Sequence, residues 1–111
     1  FRAREPGAWI ACTVAVPAAG RQQIVGRFAR ASDLGQYRLL VDGKPLGDPV
    51  NFYNGEGGAP PTHVIPTDEI IFGALELAAG EHELKFECTG KHERSTGHYL
   101  AVDGIFLRSA K

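Results

Sequence analysis

Three glycine-bearing turns divide this chain into short runs of alternating apolar residues: Pro17-Ala18-Ala19-Gly20, Asp42-Gly43-Lys44-Pro45-Leu46-Gly47 and Ala78-Ala79-Gly80-Glu81. A period of two sends successive side chains to opposite faces of a strand, and regularly spaced turn residues mark where each strand ends. The pattern predicts an all-β, antiparallel β-sandwich. Strands are expected over residues 9–16, 22–31, 37–41, 46–52, 70–77, 82–88 and 98–107. The first two are expected to form a hairpin through Pro17 to Gly20, and the next two another through Asp42-Gly43, a dipeptide that favours a tight hairpin turn. Helix-like composition is confined to residues 73–79, where Gly73 and Gly80 leave room for a turn or two at most.

At 111 residues the chain fits one domain, large enough to bury about 65% of its unfolded surface without disulfide or metal staples. Twelve Lys and Arg stand against 13 Asp and Glu, for a net charge of -1. No basic stripe interleaves with aromatics, so nucleic acid is not an expected partner. No apolar run approaches the roughly 20 residues of a membrane helix, so a membrane is not expected either. The lack of Met and the start at Phe1-Arg2-Ala3-Arg4 suggest a piece of a longer polypeptide. That leaves the compartment open, an extracytoplasmic or secreted setting included.

Cys12 shares a face with Ile10, Val14 and Val16, and Cys88 with Leu84 and Phe86. Both thiols are therefore expected to point into the core as small hydrophobes, free rather than bridged. Neither has the Cys-x-x-Cys or nearby-His spacing of a zinc site.

If each strand crosses the sandwich once, the three tight turns collect at one end. The longer loops, 32–35, 53–69 and 89–97, collect at the other. Function on a rigid β scaffold sits in such loops. Candidate ligand-binding residues there are Asp33, Tyr53, Asn54, Lys91, His92, Arg94 and Tyr99, with Glu56, His63, Asp68, Glu93, Ser95 and His98 nearby.

Several segments, in this order, look like one family: Arg2-Ala3-Arg4-Glu5-Pro6-Gly7 before Trp9, Ala31-Ser32-Asp33-Leu34-Gly35, and Leu40-Val41-Asp42-Gly43-Lys44-Pro45-Leu46-Gly47. Ala79-Gly80-Glu81-His82-Glu83-Leu84-Lys85-Phe86, Gly90-Lys91, Ser95-Thr96-Gly97 and Val102-Asp103 follow. Together they resemble the jelly-roll domain of glycoside hydrolase family 172 and related proteins. The chain differs at His92, where such domains carry Asn, and at His98, where they carry an aromatic residue. The resemblance implies a galactose-binding-like jelly roll beside a larger enzyme acting on fructose- or arabinose-containing sugars. No catalytic residue comes with it.

Each chemical constellation has a plainer structural reading. Glu81-His82-Glu83 on a strand sends His82 to one face and both glutamates to the other, as a solvated strand does. His92, Glu93 and His98 lack zinc-ligand spacing, and the adjacent Asp68-Glu69 suits a strand start better than a pair of glycosidase carboxylates. Asp33 suits a sugar hydroxyl or a structural calcium ion, and equally an Asx turn with its own backbone. Gly55-Glu56-Gly57-Gly58-Ala59-Pro60-Pro61 follows no strand-to-helix junction, so it reads as a loop rather than a phosphate cradle. Trp9 suits sugar stacking or a partly buried edge position. Two functions follow as expectations. One is a non-catalytic, cofactor-free carbohydrate-recognition module. The other is an assembly domain packing against parent polypeptide domains or a second copy in a homo-oligomer.

Overall fold

A computed structural model describes the chain except for residues 2, 4, 31–33, 54–64, 68, 92–94, 96, 110–111 and the side chains of 65–66. Its strands are β1 (Trp9–Val16), β2 (Gly20–Arg30), β3 (Gln36–Val41), β4 (Lys44–Asn51), β5 (Ile65–Pro66), β6 (Ile70–Leu77), β7 (Gly80–Gly90) and β8 (Val102–Ser109). β1 and β6 match the alternation to the residue. β5, a two-residue strand inside the 53–69 loop, has no sequence signal of its own.

The strands build two antiparallel sheets facing one another, a jelly-roll sandwich. One runs β1-β7-β3-β4; the other centres on β2, with β6 and β8 on its two sides and β5 against its last residues. Between the sheets Phe28 packs on Phe52, Phe72 and Phe86, with ring centroids 4.7, 5.8 and 5.7 Å apart. Ile24, Leu39 and Leu84 complete this layer with no exposed surface.

The hairpin expected between β1 and β2 does not form. β1 pairs with β7 and β2 with β6 and β8, so the Pro17 turn carries the chain from one sheet to the other. Two local features favour that outcome. Pro17 has no N–H for a hairpin ladder, and Ile24, Val25 and Gly26 are buried in succession, as suits a strand with neighbours on both sides. The Asp42-Gly43 hairpin does form between β3 and β4. Asp42 and Gly43 take φ of +50° and +84°, the left-handed pair that a two-residue primed turn requires.

Cys12 is the second correction. Both thiols are free, but Cys88 is buried and Cys12 exposed. Cys12 lies directly across from the fully buried Leu84, so alternation gave its face correctly. What is missing is cover, because β1 is the edge strand of its sheet and Cys12 sits in its exposed middle. On the opposite side of the sandwich β4 and β6 come together. There a Cβ on Gly47, at φ +73°, would stand 2.4 Å from the Phe72 carbonyl oxygen.

Candidate functional site

Sandwich parity holds in the structure. Val16, Gly20, Asp42, Ala78 and Gly80 gather at one end, where Val16 lies across from Gly80 and Gly20 across from Leu77. At the other end the chain around Gly35 meets that around Tyr99. Gly35 N–H donates to the Tyr99 carbonyl at 2.9 Å, Phe52 N–H donates to the Gly35 carbonyl at 3.1 Å, and Leu34 and Tyr99 form a parallel bridge. Gly35 has no room for a side chain, since a Cβ would sit 3.0 Å from the Gly90 carbonyl oxygen and the His98 backbone.

Hydrogen bonds from side chains to backbone stiffen this end. The buried Ser95 hydroxyl donates to the Leu34 carbonyl at 2.8 Å, the Tyr37 hydroxyl to the His98 carbonyl, and Arg30 Nη1 to the Asn51 carbonyl at 2.9 Å. The Asn51 Oδ1 accepts from Tyr53 N–H at 3.0 Å, and Thr67 exchanges two bonds with Phe28, giving its N–H to the Phe28 carbonyl and accepting the Phe28 N–H on Oγ1. Burial pushes the proton affinity of the Tyr37 hydroxyl and the Cys88 thiol upward, so both stay neutral, as structural groups do.

Of the seven candidate ligand residues, Tyr53, Lys91 and Tyr99 are described; Asp33, Asn54, His92 and Arg94 lie outside the described residues. The three are at the loop end as expected, with Lys91 exposed and Tyr53 and Tyr99 half-buried. They do not line the groove the structure opens there. That groove, about 510 Å³, is lined among the described residues by Phe28 and Ala29 of β2, Leu100 and Ala101, Val102 and Asp103 of β8, and Phe1. Its lining combines apolar residues with the exposed Asp103, and Val102 is 43% exposed. Sequence reasoning placed Val102 and Asp103 in a strand and among the family-like segments, not among the candidate ligand residues. What hid Asp103 was the strand boundary: β8 starts at Val102 rather than at 98, which brings Asp103 to the start of the strand.

Among the described residues no group of three His, Cys, Asp or Glu side chains could hold a metal ion; the calcium expectation rests on Asp33, outside them. Glu69 is turned away to the outer face of the second sheet. There Arg27 lies 3.0 Å and Arg108 3.3 Å from its carboxylate, holding that carboxyl below the usual range. Trp9 is 54% exposed on edge strand β1, with the Lys85 ammonium 4.5 Å above its ring.

The tight-turn end holds a polar cluster of its own. His82 Nδ1 lies 2.6 Å from Asp42 Oδ2 and Nε2 lies 2.7 Å from the Ala78 carbonyl oxygen, while Asp42 Oδ1 accepts the Glu83 N–H at 2.9 Å. The solvated-strand reading of Glu81-His82-Glu83 therefore fails for His82, which ties two turns together. Asp42 and then the Ala78 carbonyl raise the histidine's proton affinity, and His82 followed by the Glu83 amide lowers that of Asp42.

No protein-family model matches the chain, and no curated protein matches it by sequence. Solved structures do match by fold. A domain of a Paenibacillus xanthan lyase superposes with a TM-score of 0.85 at 20% identity, over 99% of this chain and 10% of the lyase. A family 35 carbohydrate binding module from an environmental isolate gives 0.64 at 14% identity, over 96% of this chain and 69% of the module. Another from Clostridium thermocellum gives 0.61 at 21% identity, over 96% and 74%. The chain thus spans about a tenth of the lyase's length, and the shared feature is the sandwich fold.

Proposed function

We propose that the chain is a non-catalytic carbohydrate-recognition module whose ligand meets the loop end. The observation carrying this reading is the open groove between the end of β2 and the start of β8. It lies in a sandwich shared with family 35 carbohydrate binding modules. Apolar residues and an exposed aspartate lining one groove suit a sugar, whose ring presents C–H patches beside hydroxyls that donate to a carboxylate oxygen. Lys91, Tyr99 and Tyr53 surround the same end and extend the surface a longer saccharide would meet. The family 172-like segments support a finer reading, in which the module accompanies a glycoside hydrolase acting on fructose- or arabinose-containing sugars.

A glycan array on the isolated chain identifies the sugar, and calorimetry on the best binder tests the site. A millimolar complex is worth about 4 kcal/mol. Losing one hydrogen bond worth roughly 1 kcal/mol therefore weakens it about fivefold. Asp103→Ala, Asp33→Ala and Lys91→Ala are expected to show that loss. Lys44→Ala and Glu81→Ala, at the tight-turn end, are expected to leave affinity unchanged, and the reverse pattern would put the ligand at the wrong end of the sandwich.

A further inference from the structure

A sheet edge presents unpaired N–H and C=O groups, and proteins guard such edges with charge, proline, glycine or a bulge. Three of the four edges here are guarded. β4 carries Lys44, Pro45, Asp48 and Pro49. β6 itself bulges at Phe72, next to Gly73, between the pairs Ile24–Gly73 and Val25–Ile71. β8 has Asp103 and Gly104 beside a second bulge, with Arg108 further along. β1 reads Trp-Ile-Ala-Cys-Thr-Val-Ala-Val and holds no Lys, Arg, Asp, Glu, Pro or Gly. It pairs residue for residue with β7 without a register shift, and among the described residues nothing pairs with its other side.

The ladder tells which backbone groups are left over. Cys88 N–H donates to the Ala8 carbonyl at 2.8 Å, and bonding alternates along an antiparallel pair. Ile10, Cys12, Val14 and Val16 thus aim their N–H and C=O at β7. Those of Trp9, Ala11, Thr13 and Ala15 face the open edge.

We propose that this edge is occupied by β1 of a second copy, antiparallel across a two-fold axis. Only odd-numbered residues offer free groups, so hydrogen-bonded pairs must join odd to odd. The axis then passes through a residue, not between two. Placing it at Cys12 pairs Trp9 with the partner's Ala15 and Ala11 with the partner's Thr13, and reciprocally, which uses all four donors and acceptors of each strand. The resulting eight hydrogen bonds compare with about ten in an ordinary protein interface. Placing the axis at Ala11 or Thr13 uses only three residues of each strand. No like charges come to face one another, because β1 has none. On the inward face, Ile10, now 40% exposed, meets the partner's Val14 in a non-hydrogen-bonded pair, where side chains approach closest. The exposed, uncovered stretch of β1 is thus the part this pairing covers.

The register has a chemical readout. Cys12 and the partner's Cys12 would form a non-hydrogen-bonded pair, with Cα atoms about 4.5 Å apart, inside the roughly 4.4–6.8 Å range a disulfide spans. Mild copper(II)-phenanthroline oxidation removes two electrons and two protons from the thiol pair and joins the sulfurs. Sedimentation of the whole chain from about 10 to 200 μM should show a concentration-dependent dimer, and oxidation should trap it through Cys12 alone. Thr13→Lys, which places a guard on the edge, should cut dimer and cross-link at least tenfold, while Glu76→Lys on β6 should leave both intact. Hydrogen exchange on the unmodified chain needs no variant: the amides of Ala11, Thr13 and Ala15 should slow as the dimer forms. A monomer at 200 μM overturns the proposal. So do slow edge amides in a monomer, which would mean another segment of the chain holds the edge, and a dimer indifferent to Thr13→Lys.

Discussion

Replacing Gly47 by alanine tests how the sandwich closes on its β4–β6 side. Two costs add there. The φ of +73° lies in the left-handed region, which disfavours an L side chain by about 1–2 kcal/mol. The added Cβ would stand 2.4 Å from the Phe72 carbonyl oxygen. Backbone atoms cannot swing aside as a side-chain tip does, so a strand must shift, at about 1–3 kcal/mol for overpacking of this kind. A total near 3 kcal/mol is expected. For 111 residues, an unfolding entropy of about 2.1 cal/mol/K per residue converts this into a melting point lowered by about 13 °C. Gly20→Ala is the control: nothing lies within 4 Å of its Cβ and its φ is ordinary, so a change within about 2 °C is expected. Melting curves by circular dichroism or calorimetry read both. Equal shifts in the two variants would show that the close approach of β4 to β6 does not exist.

Thiol titration should find one cysteine reactive in native buffer, Cys12, and a second only in denaturant, Cys88; two reactive thiols in the native protein would contradict the burial of Cys88. The His82–Asp42 pair should make stability depend on pH. A histidine whose proton affinity is raised by folding stabilises fully below its ordinary value near 6.5, and that share fades as pH rises through the raised value. The lowered Asp42 contributes above the ordinary carboxylate range near 4, and its share fades as pH falls through the lowered value. His82→Gln should therefore flatten the decline between pH 6 and 9, and an unchanged slope would mean the pair does not form. Phe28→Ala should cost about 3–5 kcal/mol in chemical denaturation, because that ring touches three other rings of the core; a loss below 1 kcal/mol would place the core elsewhere.

Period-two alternation gives strand position and face, because both are local: β1 and β6 were legible to the residue, and the inward face of Cys12 was right. Cover is not local. Whether Cys12 is wet depends on β1 lying at the edge of its sheet, and nothing between Trp9 and Val16 encodes that. Pairing partners are equally remote. Pro17-Ala18-Ala19-Gly20 looks like Ala78-Ala79-Gly80-Glu81, and both turn out to carry the chain between sheets, whereas Asp42-Gly43 makes a true hairpin because its two residues supply the positive φ values a two-residue turn needs. His82 was misread for the same reason. Its partner Asp42 is 40 residues away, and only the docking of two turns brings them together.

The two ends of the sandwich solve different problems with their polar residues. At the tight-turn end, Asp42 spends both oxygens and His82 both ring nitrogens on the protein itself, so little of either remains for a ligand. At the loop end, the described bonds engage Ser95, Tyr37, Arg30 and Thr67 with backbone carbonyls and amides. Those residues fix the frame and leave Asp103 and Lys91 exposed beside it. A rigid frame with polar groups held at its edge lowers the ordering cost of binding. That difference, more than the number of polar residues at either end, is why the loop end is the better candidate for recognition.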